Sequence, residues 1–361
     1  MNIAIDCRHI DSSGVGVYLR ECLPFFCDSA NTFLLFGDSK KLEKNTKKPN
    51  VEILNCVIKP FSLRDTFAFP RNILRKINRC DLYYSPFFNI PGGIKVPIYT
   101  TIHDIIFPDM PDLTSRLGLA IRMFFFRRCF RYSSKIFTVS EFSRSRIKYY
   151  SKNKVPVVVT HSAIQPHFLD YRKAVREINK KKSIIFIGNI KKHKGIEYLL
   201  DAFLLARQEG LQYQLIIIGS RENFRTSDNS ILKKIDSLGN DVVLFTGYIS
   251  DERLMDFLST AALLVQPSLY EGFGLPPLEA MVLGTNVLIS DIPVFKEIFE
   301  DFPVTFFKSG DTLDLKAKIL ELLYKKEPKP LVLPQFLMEK YNFKKTSKII
   351  LEEMEKNIQS V

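Results

Sequence analysis

Short apolar runs at residues 2–6, 32–36, 51–57, 81–84, 98–102, 136–139 and 155–160 read as strands. A glycine turn at 13–16 follows the first run. Residues 17–26 then return to helical spacing, with apolar positions three to four apart. Helical patterns fall between several of the other runs, and this alternation predicts an α/β domain with a parallel sheet. Residues 170–182, DYRKAVREINKKK, break the pattern; polar and basic, they read as an interdomain connection with a short helix. A second series follows. It has strands at 183–187, 214–218, 242–245, 262–266, 286–289 and 304–306, and helices at 196–208, 230–238, 251–258, 276–283, 294–298 and 313–323. The expected architecture is two doubly wound domains, 1–168 and 183–335, facing each other across a cleft, with ligands beyond the carboxyl ends of the strands. Prolines at 328–334 interrupt any continuous helix. The amphipathic segment 341–358 is expected outside the second domain, packing back on the first.

The 361 residues suit two domains, and 46% apolar content is enough for two cores. The richest apolar stretch, 117–126, is short and contains Arg122, whereas a membrane span needs about 20 apolar residues. The opening MNIAIDCRHI holds Asp6 and Arg8 within its apolar run, unlike the uncharged core of a secretory leader. Cys7, Cys22, Cys27, Cys56, Cys80 and Cys129 form no CxxC pair and no zinc-like spacing. They read as buried small hydrophobes in a reducing cytosol.

The segment 268–279, SLYEGFGLPPLE, carries the sharpest chemistry. A turn holding Glu271, Gly272, Phe273 and Gly274 leads into a helix that Pro276 and Pro277 favour at its first turn. Free N–H groups and the positive dipole end make such a terminus an anion site. Glu271 precedes that site and Glu279 is expected in the first helical turn. Two carboxylates so spaced suit hydroxyl-rich groups on either side of a diphosphate; acidic residues favoured by the dipole alone are the simpler reading. Lys194, in IGNIKKHKG, offers a compact charge to a diphosphate leaving group. His103 follows the strand at 98–102, at a carboxyl end where function concentrates.

These features are joined by a resemblance. EGFGLPPLE, read as E-x7-E, resembles the donor-site motif of family 4 of the retaining glycosyltransferases, which have the GT-B fold. SGVGVY, TIHDIIFP, TVSEFSRSRI and IIFIGNIKKHKGIEYLLDAF resemble further segments of that family in the same order, across nearly the whole chain. The likeness is weakest at 40–79 and 308–333.

The resemblance implies roles. Glu271 would hydrogen-bond donor-sugar hydroxyls and Glu279 the ribose. Backbone amides of Gly272, Phe273, Gly274 and Leu275 would meet the sugar and its diphosphate. Lys194 would serve the phosphates, beside Gly188 and Asn189. The family often has arginine in place of Asn189, so Lys191 or His193 would have to compensate. His103 would contact the sugar near its reacting centre, with Asp104 orienting it or touching the acceptor. Gly14 and Gly16 would form a loop facing diphosphate and acceptor. Arg8, just before it, either touches a ligand or is an exposed or capping arginine. Tyr248 and Ile249 would line the nucleobase.

The implied reaction transfers a sugar from a nucleoside diphosphate sugar to an acceptor hydroxyl with retention, in cell-envelope polysaccharide synthesis such as lipopolysaccharide or capsule. No cofactor and no metal are expected, since Asp-x-Asp does not occur in the chain. Rival readings are a GT-B epimerase, a phosphorylase with a lysine-bound pyridoxal group, and a non-catalytic sugar-nucleotide or membrane module.

The net charge of +13 changes the picture through its placement. Between residues 113 and 154, eleven Lys and Arg stand against Glu141 alone, interleaved with Phe124, Phe125, Phe126, Phe130, Tyr132, Tyr149 and Tyr150. That mixture suits an anionic bilayer surface. The competing reading is a solvated helix whose aromatics face the core. Nucleic acid is not expected. A cytoplasmic enzyme, peripheral on the inner face of the membrane, acting on a glycan or lipid-linked acceptor, is the combined expectation.

Overall fold

The computed structural model describes residues 1–43, 46, 48–174, 179–219 and 229–358. They form two compact units, one of Met1–Ala163 with Tyr341–Val361, the other of Ile164–Lys340.

The first unit holds β1 (Asn2–Asp6), β2 (Thr32–Gly37), β3 (Val51–Asn55), β4 (Leu82–Ser85), β5 (Ile98–Ile102), β6 (Lys135–Thr138) and β7 (Val157–Val159). They pair in the order β3-β2-β1-β4-β5-β6-β7. Every pairing is parallel. Burial on both faces explains their near-continuous apolar sequences: β4 and β5 are buried at every position. The last strand is shorter than its apolar run because Pro156 has no N–H to donate.

The second unit repeats the scheme with β8 (Lys181–Ile187), β9 (Gln214–Ile218), β10 (Val243–Gly247), β11 (Ala261–Gln266), β12 (Asn286–Ser290) and β13 (Thr305–Phe307). Their order is β10-β9-β8-β11-β12-β13, again parallel. In each sheet the strand order reverses beside the first strand, between β1 and β4 and between β8 and β11. Loops diverge at such a point and leave a crevice at the carboxyl ends.

The unit boundary falls after Ala163 rather than at 168, because the helix Pro166–Ala174 packs with the second unit. Its Phe168 is buried and its Tyr171 hydroxyl reaches Ser259 Oγ at 3.5 Å. The second unit likewise runs to Lys340 rather than 335. Residues 175–178 of the expected connection lie outside the described residues.

The amphipathic tail forms the helix Phe343–Ile358 within the first unit. Phe343, Ile350 and Met354 are buried. Glu353 pairs with Lys135 at 2.7 Å, Asn31 donates to Glu355 at 3.2 Å, and the Thr346 hydroxyl donates to the His161 carbonyl at 2.7 Å. Lys135 is therefore a structural cation and not part of the basic surface counted in the sequence.

Candidate active site

In the second unit the loops after β8 and β11 meet at the strand-order reversal. Gly195 decides how closely: a Cβ there would lie 2.0 Å from the Pro267 carbonyl oxygen. Its φ of +65° is also one that side chains disfavour. The two loops are tied again where Leu269 N–H donates to the His193 carbonyl at 2.8 Å. This apposition brings Lys194 Nζ to 2.6 Å from Glu271 Oε1.

Ser268 Oγ donates to the same oxygen at 2.8 Å, and Gln266 Nε2 lies 3.5 Å from it. The three donors converge on Oε1, so Oε2 takes no hydrogen bond among the described residues. Burial works against the Glu271 charge. Lys194 and Ser268 outweigh it and hold the carboxyl below its usual range. Burial, with Lys194 beside it, lowers the His193 imidazole to about 4, so it is neutral at physiological pH. Sequence reasoning missed Ser268 and Gln266; the hydroxyl three residues before Glu271 was the available signal.

Glu279 is the fifth residue of the helix Leu275–Val282, past its first turn, which holds no acidic residue. The helix-dipole explanation for this carboxylate therefore fails. It is buried, its Oε1 accepts from Gln165 Nε2 at 3.4 Å, and burial, reinforced by Asp251, raises its pKa to about 7.

Gly188, Gly219 and Gly247 meet at the carboxyl ends of β8, β9 and β10. Gly188 N–H donates to Ile218 O at 2.9 Å and Gly219 N–H to Gly247 O at 3.3 Å. Asn189 is half-buried, as are Gly272, Leu275 and Ile249, while Phe273 and Gly274 are buried. Tyr248 is 88% exposed. Lys191 is exposed.

The remaining sequence candidates lie in the first unit. His103 follows β5; its Nε2 is 3.0 Å from Pro86 O and its ring meets Tyr18 edge-on at 5.0 Å. Burial lowers its pKa to about 4. Asp104 Oδ1 accepts the Ile106 N–H at 3.1 Å and so shapes the turn after it.

Gly14 and Gly16 do not form a loop. They lie in the first turn of the helix Ser13–Cys27, and a Cβ on Gly16 would meet Ile10 O at 2.4 Å. Glycine at 16 lets the preceding segment close against the helix, whereas a Cβ on Gly14 would meet nothing within 4 Å. Arg8 is neither exposed nor free for a ligand. Its guanidinium is buried between Phe36 and Phe69 and pairs with Asp6 at 2.6 Å and Asp65 at 2.7 Å.

Residues 168–331 match the family model described as glycosyl transferases group 1. This segment is a group 1 glycosyltransferase domain. Among curated proteins the chain is 28% identical over 231 residues to O-antigen chain mannosyltransferase B of Escherichia coli, covering 61% of this chain and 59% of that one. It is 32% identical over 114 residues to mannosylfructose-phosphate synthase of Agrobacterium fabrum, covering 30% and 25%. The matches thus span between a quarter and three-fifths of these relatives' own lengths.

Sucrose-phosphate synthase from Thermosynechococcus elongatus shares the fold with a TM-score of 0.71 at 17% identity, over 100% of both chains. Anabaena Alr3699/HepE, in complex with UDP and glucose, shares it at 0.68 and 16% identity, over 99% and 100%. Within the glycosyltransferase domain the Lys194–Glu271 pair stands at the β8/β11 reversal.

Among the described residues no helix is long and apolar enough to cross a membrane, and no cluster of three His, Cys, Asp or Glu could hold a metal. The helix Arg116–Tyr132 buries Phe125, Phe126 and Phe130 but exposes Leu117, Ile121 and Phe124, which share one face at i, i+4 and i+7. Arg116, Arg127, Arg131, Lys148, Lys152 and Lys154 are exposed, whereas Arg146 pairs with Asp109 and Arg144 with Glu141. The aromatics of this stretch divide between core and surface: Tyr132 and Tyr149 are exposed.

Proposed function

We propose that the chain is a family 4, retaining glycosyltransferase that moves a hexosyl group from a nucleoside diphosphate sugar to an acceptor hydroxyl in cell-envelope polysaccharide synthesis. The observation that carries this reading is the Lys194–Glu271 pair in a group 1 domain, at the end of the sheet where ligands bind. Glu271 Oε2, which takes no hydrogen bond among the described residues, can accept a sugar hydroxyl. Lys194 Nζ keeps two further N–H bonds for diphosphate oxygens. As the bond from the anomeric carbon to the diphosphate breaks, charge grows on the leaving oxygen, and a fixed ammonium stabilises it. The acceptor oxygen bonds that carbon from the same face, and its proton passes to the diphosphate. This chemistry asks for neither cofactor nor metal.

Curated relatives named as O-antigen mannosyltransferases support a mannosyl donor as the first to test, and a solved neighbour named for its UDP and glucose complex supports a nucleotide-sugar site. The exposed Leu117–Ile121–Phe124 face, with the exposed cations Arg116, Arg127 and Arg131 on the same helix, supports peripheral association with the inner face of the cytoplasmic membrane, where a lipid-linked or glycan acceptor would be met.

A panel of GDP-, UDP- and dTDP-sugars tests the reading by thermal shift and transfer, with the anomeric configuration of the product read by NMR. One donor at about 100 times its Kd should stabilise the protein by roughly 2.7 kcal/mol. No stabilisation by any nucleotide sugar, or an inverted product, would remove it.

A further inference from the structure

A pocket of about 710 Å³ opens in the first unit beside the helix Arg71–Ile77. Phe69, Leu74 and Ile94 are among its lining residues, polar atoms supply the larger share of its open surface, and no carboxylate lines it. Two guanidinium groups stand in that wall, those of Arg71 and Arg128. Arg71 makes no hydrogen bond or ion pair among the described residues. Arg128 has only long bonds, 3.3 Å each, to the carbonyls of Ile90 and Pro91, and lies 5.1 Å from the Tyr132 ring. The exposed ring of Phe67 extends the apolar surface to the rim. The pocket is lined at the amino end of β5, by Ile98, whereas His103 follows its carboxyl end. At about 3.3 Å per residue the two are separated by roughly 15 Å.

Size and chemistry together select a ligand. The volume is that of a small-molecule site. A guanidinium is a planar fork matched to phosphate oxygens, and two without carboxylate partners call for an anion. A bare phosphate would leave Phe69, Leu74 and Ile94 wet, and a neutral lipid would leave both cations unmatched. We propose that this pocket binds a single anionic phospholipid, its phosphate held by Arg71 and Arg128 and the start of an acyl chain lying on Phe69, Leu74 and Ile94. The site goes beyond the broad surface attraction proposed above, because it takes one lipid molecule and needs no bilayer.

Calorimetry on the full chain with dihexanoyl phosphatidylglycerol, kept below its micelle concentration, tests this directly. One molecule should bind per chain, and dihexanoyl phosphatidylcholine and inorganic phosphate should each bind at least tenfold more weakly. Arg71→Glu reverses an unpartnered exposed charge and should weaken the glycerol lipid at least tenfold. Ile94→Trp fills the pocket and should do the same. Both variants should keep wild-type thermal stability. Absence of binding to the monomeric glycerol lipid, equal affinity for the choline lipid, or undiminished binding in both variants overturns the site. Arg127→Glu, outside the pocket, should leave monomeric lipid binding unchanged. If it does so while wild-type protein ignores anionic vesicles, the surface reading fails and the pocket stands.

Discussion

Lys194 Nζ lies 2.6 Å from Glu271 Oε1, although 77 residues separate them in the chain. The carboxylate is half-buried and its charge depends on that contact. Lys194 therefore holds Glu271 charged before any substrate arrives, and replacing the lysine should have effects at both.

Glu271→Ala should lower transfer at least 100-fold, the scale of losing one preorganised polar group at a reacting centre. Ser268 and Lys194 remain to fill the space with water, so circular dichroism should be unchanged. Near-normal turnover in the folded variant would take Glu271 out of the reaction.

Lys194→Ala should weaken nucleoside diphosphate binding about tenfold or more while sparing the bare nucleoside. It also strips Glu271 of its counter-charge. Calorimetry with both ligands separates the cases; equal losses would show that the lysine does not serve the phosphates.

Glu279 gives a pH signature. Its folded pKa, about 7, lies above the ordinary carboxylate value of 4.5, so the folded state prefers the protonated form. The sign follows: this contribution is fully present below pH 4.5 and is lost as pH rises through 7. Between those limits it falls by up to about 1.4 kcal/mol per pH unit. Glu279→Gln should flatten that part of the curve in urea unfolding at stepped pH. The same slope in variant and wild type would contradict the assignment.

Transfer should survive EDTA, since Lys194 and the amino end of the helix Leu275–Val282 supply positive charge at the proposed diphosphate site. Complete loss of activity, restored by manganese or magnesium, would reverse this expectation.

Co-sedimentation with anionic vesicles at low salt should retain the protein and release it at high salt, because each surface cation contributes on the order of 1 kcal/mol and is screened. Charge reversal at Arg127 and Arg131 together should abolish retention and leave donor affinity alone. Arg128 is a poorer target, because it also bonds the Ile90 and Pro91 carbonyls. Retention that ignores both salt and these changes would exclude the electrostatic account.

The strands could be read from sequence because both sheets are buried on both faces, so their residues form largely apolar runs, unbroken at Leu215–Ile218. Gly14 and Gly16 misled for a physical reason. Glycine marks a turn in most sequences, but here both lie inside the helix Ser13–Cys27, and Gly16 is pressed against the Ile10 carbonyl. The burial of Arg8 depends on Asp65, 57 residues away, and no local pattern carries such a pairing. Glu271 and Lys194 stood out singly, each beside glycine, but their mutual contact follows from the approach of Gly195 to Pro267, a tertiary fact. Ser268 and Gln266 went unread because a hydroxyl and an amide become informative only when the acceptor they aim at is known.

The helix Phe343–Ile358 belongs to the unit that begins the chain, so the other unit is spliced into it between Ala163 and Tyr341. This has a consequence for biogenesis. Residues 164–340 are contiguous and can complete their core as soon as they leave the ribosome. The earlier unit must wait, with the seats of Phe343, Ile350 and Met354 vacant, until the tail is made. A nascent chain stopped at residue 340 should then present a protease-resistant second half and a sensitive first half, the reverse of the order in which they are translated.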